Sequence, residues 1–277
     1  MFQFKLRPFE RLQEAEFILI NTFYDLEKDM LLSLQEEYRV LPAGPFLPPA
    51  LLSVGGSRGD DDRTGTGLWA EDDGCLSWLD KQKDSSVLYI SFGSIASLSQ
   101  DQFRELVLGL DASKRPILWA IRPDIKELVS PLIPPSFLGG ESKEESQVYI
   151  TSWAPQALVL SHSSVGGFLT HCGWNSTLES ISMGVPTLNW PYFADQMMNR
   201  KWMVDEWKVG KSFKASKDGM VTKEEVERLV RLLMEEEEGE EMRARARALS
   251  CLAKEAMQPH GSSCLNLHEV LKPYKHS

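Results

Sequence analysis

Between Val165 and Gly184 an apolar run, VGGFLTHC, breaks at Gly173 and continues as NSTLESISMG, with Leu178 and Ile181 on one side of a helix. A buried strand that feeds a helix through a glycine turn restricts the chain to α/β architectures. The same junction is an anion site, because the first-turn N–H groups of a helix lack intrahelical partners and the helix dipole places partial positive charge there. Asn175 and Ser176 add side-chain donors at the helix start, and His171 stands where the strand ends.

The wider stretch, from Trp153 to Gln196, contains no Lys or Arg. A phosphate bound there is therefore held by backbone amides, hydroxyls, an amide side chain and an imidazole. Trp153 and Gln156 flank the junction on one side and Asp195 and Gln196 on the other. An indole offers a flat face to a base, while carboxylates and amides pair with sugar hydroxyls. Base, diphosphate and sugar each find a partner, so the stretch reads as a nucleotide-sugar site.

The pattern W-A-P-Q, then F-L-T-H-C-G-W-N-S-T-L-E, then G-V-P, then D-Q resembles the signature box of the plant family 1 UDP-glycosyltransferases. The resemblance implies that Trp153 stacks on uracil, that the backbone of Ala154 meets the uracil edge, and that Gln156 and Glu179 reach the ribose. It places His171, Asn175 and Ser176 at the diphosphate; Gly173 at the turn and Ser94, which ends a strand in F-G-S, are read as further nucleotide-site residues. Trp174, Asp195 and Gln196 then surround the sugar, and this pairing of box residues implies glucose. The reaction implied is transfer of a hexose from a UDP-sugar to a small-molecule hydroxyl acceptor with inversion, without metal or other cofactor. The family's general base, a His supported by an Asp, lies in a region that precedes this sequence, so no catalytic residue is assigned here. A non-catalytic UDP-sugar-binding module is the alternative.

Elsewhere the chain alternates. EFILINTF reads as a strand, DLEKDMLLSLQEEY as a helix and RVLPAGPF as extended structure. Then come a short helix in CLSWLDKQ, a strand in SVLYISFGS, a helix capped by Ser99 with Gln102, and a strand in PILWAIR. An irregular Pro-rich segment and a strand in QVYITSW lead into the box. After it, a helix over 194–206, a strand in VGKSF, a helix capped by Thr222 with Glu225, a charged helix and a last helix are expected. The alternation predicts a parallel sheet flanked by helices. The resemblance implies a GT-B fold: a remnant of the N-terminal domain over 1–51, a linker over 52–67, and a Rossmann-like C-terminal domain over 68–277. Its final helix, 261–277, crosses back. On this reading the chain is an N-terminally truncated member of the family.

Composition excludes several classes. A net charge of −10 argues against general affinity for nucleic acid or anionic membranes. No apolar run approaches the ~18 residues of a membrane span, and the N-terminal text lacks a signal-peptide core. The four cysteines show no C-x-x-C spacing, which predicts a reduced cytoplasmic setting.

Simpler roles compete for the same residues. Ser176 and Glu179 fit a helix capping box. Asp195 and Gln196 fit an ordinary helix start. Ser94 fits a plain turn, and His162 a structural role. Asp60, Asp61 and Asp62 sit among glycines and read as solvated linker rather than a metal site.

Overall fold

The computed structural model describes residues 7–52, 74–93, 98–134, 137 and 147–272. Ser94, the three linker aspartates and all of the expected linker except Leu52 lie outside them. The chain forms two compact units, Met1–Arg58 with Leu249–Ser277, and Gly59–Ala248.

In the first unit a 3-10 helix, Arg7–Glu14, precedes β1 (Ile18–Ile20), α1 (Lys28–Gln35), β2 (Val40–Pro42) and α2 (Pro49–Leu52). β1 and β2 pair in parallel, Ile18 opposite Val40.

The second unit carries α3 (Gly74–Leu79), β3 (Val87–Ser91), α4 (Gln100–Ser113), β4 (Ile117–Ala120), α5 (Pro123–Val129) and β5 (Val148–Thr151). Next come α6 (Gln156–Leu160), β6 (Val165–Thr170), α7 (Trp174–Met183), β7 (Thr187–Asn189), α8 (Gln196–Lys201), β8 (Gly210–Ser212) and α9 (Lys223–Glu235). α10 (Glu237–Ala256) continues into the first unit, where α11 (Ser262–Leu271) closes the described chain. There Asn266 Nδ2 donates to the Pro42 carbonyl at 2.7 Å, and Arg39 pairs with Glu269.

The six strands of the second unit form one sheet in the order β5-β4-β3-β6-β7-β8, every pairing parallel. Such a sheet is buried on both faces, and its strands alternate between two cores. Leu88 and Ile90 of β3 join Trp119 and Leu169 beneath α4 and α9, which supply Phe103, Leu106, Val226 and Leu229. Val87 and Tyr89 point the other way, toward Trp78 and Leu79 of α3 and toward Leu118 and Phe168. Strand order reverses between β3 and β6. In open parallel sheets the ligand crevice lies at the carboxyl ends of the two strands at such a reversal.

Three local expectations need correction. The segment after β4 is not irregular at its start, since Pro123 opens α5, where its missing N–H costs nothing. Ser99 does cap α4, accepting from the Gln102 backbone N–H at 3.2 Å, but the Gln102 side chain does not return to the cap. It exchanges two hydrogen bonds with the Val221 backbone instead, so tertiary partners outcompete the local ones. The helix expected over 194–206 starts at Gln196 and ends in a π turn, Trp202–Glu206.

Candidate functional site

Two strand ends make the centre of the crevice. β3 runs out through Phe92 to Gly93, which has φ +69°, a left-handed conformation that glycine adopts without steric cost. β6 runs out through His171 and Cys172 to Gly173, the N-cap of α7. The His171 ring lies between these glycines. A Cβ at Gly93 would come within 2.8 Å of it, and a Cβ at Gly173 within 2.5 Å of Nε2. The two missing side chains are the slot that holds the imidazole.

Among the described residues His171 Nδ1 is buried with no hydrogen-bond partner. Burial holds the imidazole below its usual pKa, opposed by the Ser91 backbone and the Asp195 carboxylate, so the ring is neutral at pH 7. Among the described residues no side chain caps α7, whose N-cap residue is extended. The first turn of a helix carries N–H donors that lack intrahelical partners, and here Asn175 is exposed and Trp174 half-buried beside them.

The competing capping box of Ser176 and Glu179 does not form. Ser176 is the third residue of α7 rather than its cap, and the Glu179 carboxylate bonds across to α6, not back to the helix start. Gln156 Nε2 donates to Ser176 Oγ at 2.9 Å and to Glu179 Oε2, while Gln156 Oε1 accepts from Tyr89 Oη–H at 3.2 Å. Burial raises the Glu179 pKa, and the bond from Gln156 opposes that shift. The predicted ribose residues are thus bonded to each other. Tyr89, fully buried and stacked on Phe168, anchors them. Its signal in the sequence was a hydroxyl inside an apolar strand, where a buried polar tip requires a partner.

At the end of β5 the Thr151 hydroxyl donates to the Trp153 carbonyl at 2.9 Å and accepts from the Trp153 N–H at 3.3 Å. That clip turns the chain and leaves the Trp153 indole partly exposed, with Ala154 buried behind it.

Beyond β7, Gln196 is not a passive helix start. Its Oε1 accepts from the Tyr192 and Phe193 N–H groups at 2.8 and 3.1 Å, which leaves the amide NH2 as the end that can meet a ligand. Asn199 Nδ2 donates to Asp195 Oδ2 and to the Cys172 carbonyl, both at 2.9 Å. Asn199, missed in the sequence, ties the exposed Asp195 to the end of β6. The i, i+4 spacing from Asp195 was the available clue.

The crevice therefore gathers His171, Gly173, Asn175 and Asp195 around the β6–α7 junction, and Gln156, Ser176 and Glu179 in one hydrogen-bonded group. His162 is elsewhere, before β6 begins, where its buried ring meets Asp80 Oδ1 at 3.0 Å and Ser164 Oγ at 2.8 Å.

Comparison with known proteins gives the family and the fold. A family described as "UDP-glucoronosyl and UDP-glucosyl transferase" matches residues 68–259. UDP-glycosyltransferase 85A2 of Arabidopsis thaliana is 44% identical over 274 residues, 98% of this chain and 55% of that protein. (R)-mandelonitrile beta-glucosyltransferase of Prunus dulcis is 39% identical over 274 residues, 98% of this chain and 55% of that one. Among solved structures, Os79 from O. sativa in complex with UDP superposes with a TM-score of 0.84 at 34% identity, covering 96% of this chain and 57% of its own. Phytolacca americana UGT2, complexed with UDP-2fluoro-glucose and pterostilbene, gives 0.81 at 38% identity, covering 96% and 56%. The chain spans about half the length of the curated relatives it matches.

Proposed function

Because the chain belongs to the UDP-glucoronosyl and UDP-glucosyl transferase family, with the Rossmann-like sheet of GT-B glycosyltransferases, we propose that it carries the donor-binding half of a UDP-glycosyltransferase. One observation carries the reading. At the strand-order reversal, two glycines hold a neutral imidazole with an unpartnered buried nitrogen beside an uncapped helix N-terminus. That is a site for a diphosphate built without a fixed cation.

Each element then has a role. Trp153 stacks on uracil and the Ala154 backbone meets the base edge. The ribose hydroxyls take the place of the contact between Gln156 and Glu179, donating to the carboxylate. His171, Asn175 and the N–H groups of α7 face the diphosphate, and the Ser176 hydroxyl, which accepts from Gln156, still has its own proton to donate there. Trp174, Asp195 and Gln196 surround a hexose, which we read as glucose.

The relatives' names support the donor and acceptor classes. One acts as a β-glucosyltransferase on mandelonitrile, and one was solved with a fluorinated UDP-glucose and the phenol pterostilbene. In the reaction we propose, an acceptor hydroxyl oxygen bonds to the anomeric carbon while its bond to the β-phosphate oxygen breaks. UDP departs with the electron pair, and the acceptor proton passes to a base. The α7 N-terminus and His171 stabilise the charge that grows on the leaving diphosphate. Inversion follows from attack opposite the leaving group.

A second reading, a UDP-sugar-binding module without turnover, has its own support. Of the described histidines near the sheet, His171 faces the diphosphate site and His162 is bound to Asp80 and Ser164 at the opposite end of β6. We assign the base to neither. No two of the four cysteines form a disulfide, which supports a reducing compartment such as the cytoplasm.

Calorimetric titration with UDP and UDP-glucose tests the donor site. Binding of both, weakened about tenfold or more in Trp153→Ala and in His171→Ala, is expected from the loss of a stacked base or a charged-group hydrogen bond. Unchanged affinity in both variants would remove the assignment. Glucoside formation by the purified chain separates the enzyme from the binding module.

A further inference from the structure

We infer that Trp207 is a positioning residue that sets the orientation of the Trp174 indole against the donor's sugar; this rests on the UDP-sugar reading above. Trp174 is the first residue of α7, immediately after Gly173, and its large ring is half-buried at the rim. Among the described residues it makes an aromatic contact with Trp207, at 6.5 Å between ring centroids and 49° between planes. Trp207 in turn lies 5.7 Å from Trp202 at 32°. The three indoles join the start of α7 to the segment after α8, whose own start holds Asp195 and Gln196.

The backbone specifies where Trp207 stands. Its N–H donates to the Trp202 carbonyl at 2.8 Å, an i to i+5 bond that closes the π turn. Lys208, at φ +55°, ends the helix there, and Val209 N–H returns to the Met203 carbonyl at 2.9 Å. Met203 is fully buried and fixes the turn to the core. An α-helical continuation would rotate residue 207 away by about 100° per residue displaced. The extra residue of the π turn therefore puts an indole against Trp174 where a regular helix would not, and π turns gather at functional positions.

An indole that closes on a hexose must hold one tilt, since stacking and edge contacts are directional. Trp207 packs against the half-buried Trp174 ring and so bears on that tilt. None of the motif residues that mark the site includes Trp202 or Trp207.

The test compares wild type, Trp207→Ala, Trp207→Phe, Trp174→Ala and the Trp207→Ala/Trp174→Ala double variant, each titrated with UDP and with UDP-glucose. The readout is the ratio of the two Kd values, which a general loss of structure does not shift. Trp207→Ala is expected to weaken UDP-glucose relative to UDP by about two- to tenfold, the range for one aromatic pair. Trp207→Phe should restore most of the ratio, and Trp207→Ala should have no further effect once Trp174 is gone. An unmoved ratio with UDP binding intact, or an equal shift in the Trp174→Ala background, overturns the inference. If Trp207→Ala does not fold, Trp207→Leu keeps the bulk without the aromatic face and is judged by the same ratio. Wild-type protein that binds no UDP would instead overturn the donor-site reading, and this inference with it.

Discussion

The His171 imidazole occupies the space that a side chain at Gly173 would fill: a Cβ there would lie 2.5 Å from Nε2. Gly173 has φ −63° and ψ 146°, a conformation any residue adopts, so the requirement for glycine comes from the ring and not from the backbone.

Gly173→Ala should therefore act through His171. Overpacking of this kind costs about 1–3 kcal/mol, and the displaced ring should weaken UDP binding. Deleting the ring relieves the clash. Urea denaturation of Gly173→Ala, His171→Ala and the double variant should show a double variant more stable than the sum of the single losses predicts. Simple additivity would contradict the packing argument.

Gln156 bridges Tyr89, Ser176 and Glu179. Gln156→Leu should leave a buried hydroxyl and a largely buried carboxyl without their shared partner, costing about 1–3 kcal/mol in denaturant midpoint experiments. Tyr89→Phe removes donor and partner demand at one end only, and should cost about 1 kcal/mol.

Glu179 gives a pH signature with opposite signs for folding and binding. Its folded pKa is raised by burial, so its contribution to stability is full below the unfolded carboxyl pKa and is lost as pH rises through the folded value. Ribose binding needs the ionised acceptor, so UDP affinity should increase over the same rise. In Glu179→Gln both slopes should flatten. Thermal unfolding and UDP titrations across the acidic range check the pair.

His171 should take up a proton when a diphosphate binds. Burial keeps the free imidazole below its usual pKa, and an adjacent anion pushes it back up. Titrations with UDP near pH 6 in buffers of different ionisation enthalpy should show proton uptake by wild type and a smaller uptake by His171→Gln.

Cysteine reactivity should be uneven. Cys172 is buried, and burial pushes its thiol up to about 12, so little thiolate forms. Cys251 is exposed. Iodoacetamide at neutral pH followed by peptide mapping should label Cys251 well before Cys172.

The alternating pattern and the box were legible because both are local. The apolar run of β6, the glycine turn, the helix with Leu178 and Ile181 buried, and the caps at Ser99 and Thr222 all follow from period and from the hydrogen-bonding habits of single side chains. The same residue types, in the same order, carry the nucleotide-sugar site proposed above.

Other features were decided by partners distant in sequence. Gln102 left its cap for Val221, and Glu179 left the helix start for Gln156, because a buried polar group takes whichever partner the packed fold brings within reach. The pairing of β3 with β6, which brings Gly93 against His171, and the π turn that sets Trp207 against Trp174 are likewise products of tertiary packing. Sequence specified the chemistry available at each position. Only the packed sheet, by bringing residues some 80 positions apart together at two adjacent strand ends, decided which groups meet and which are left for a ligand.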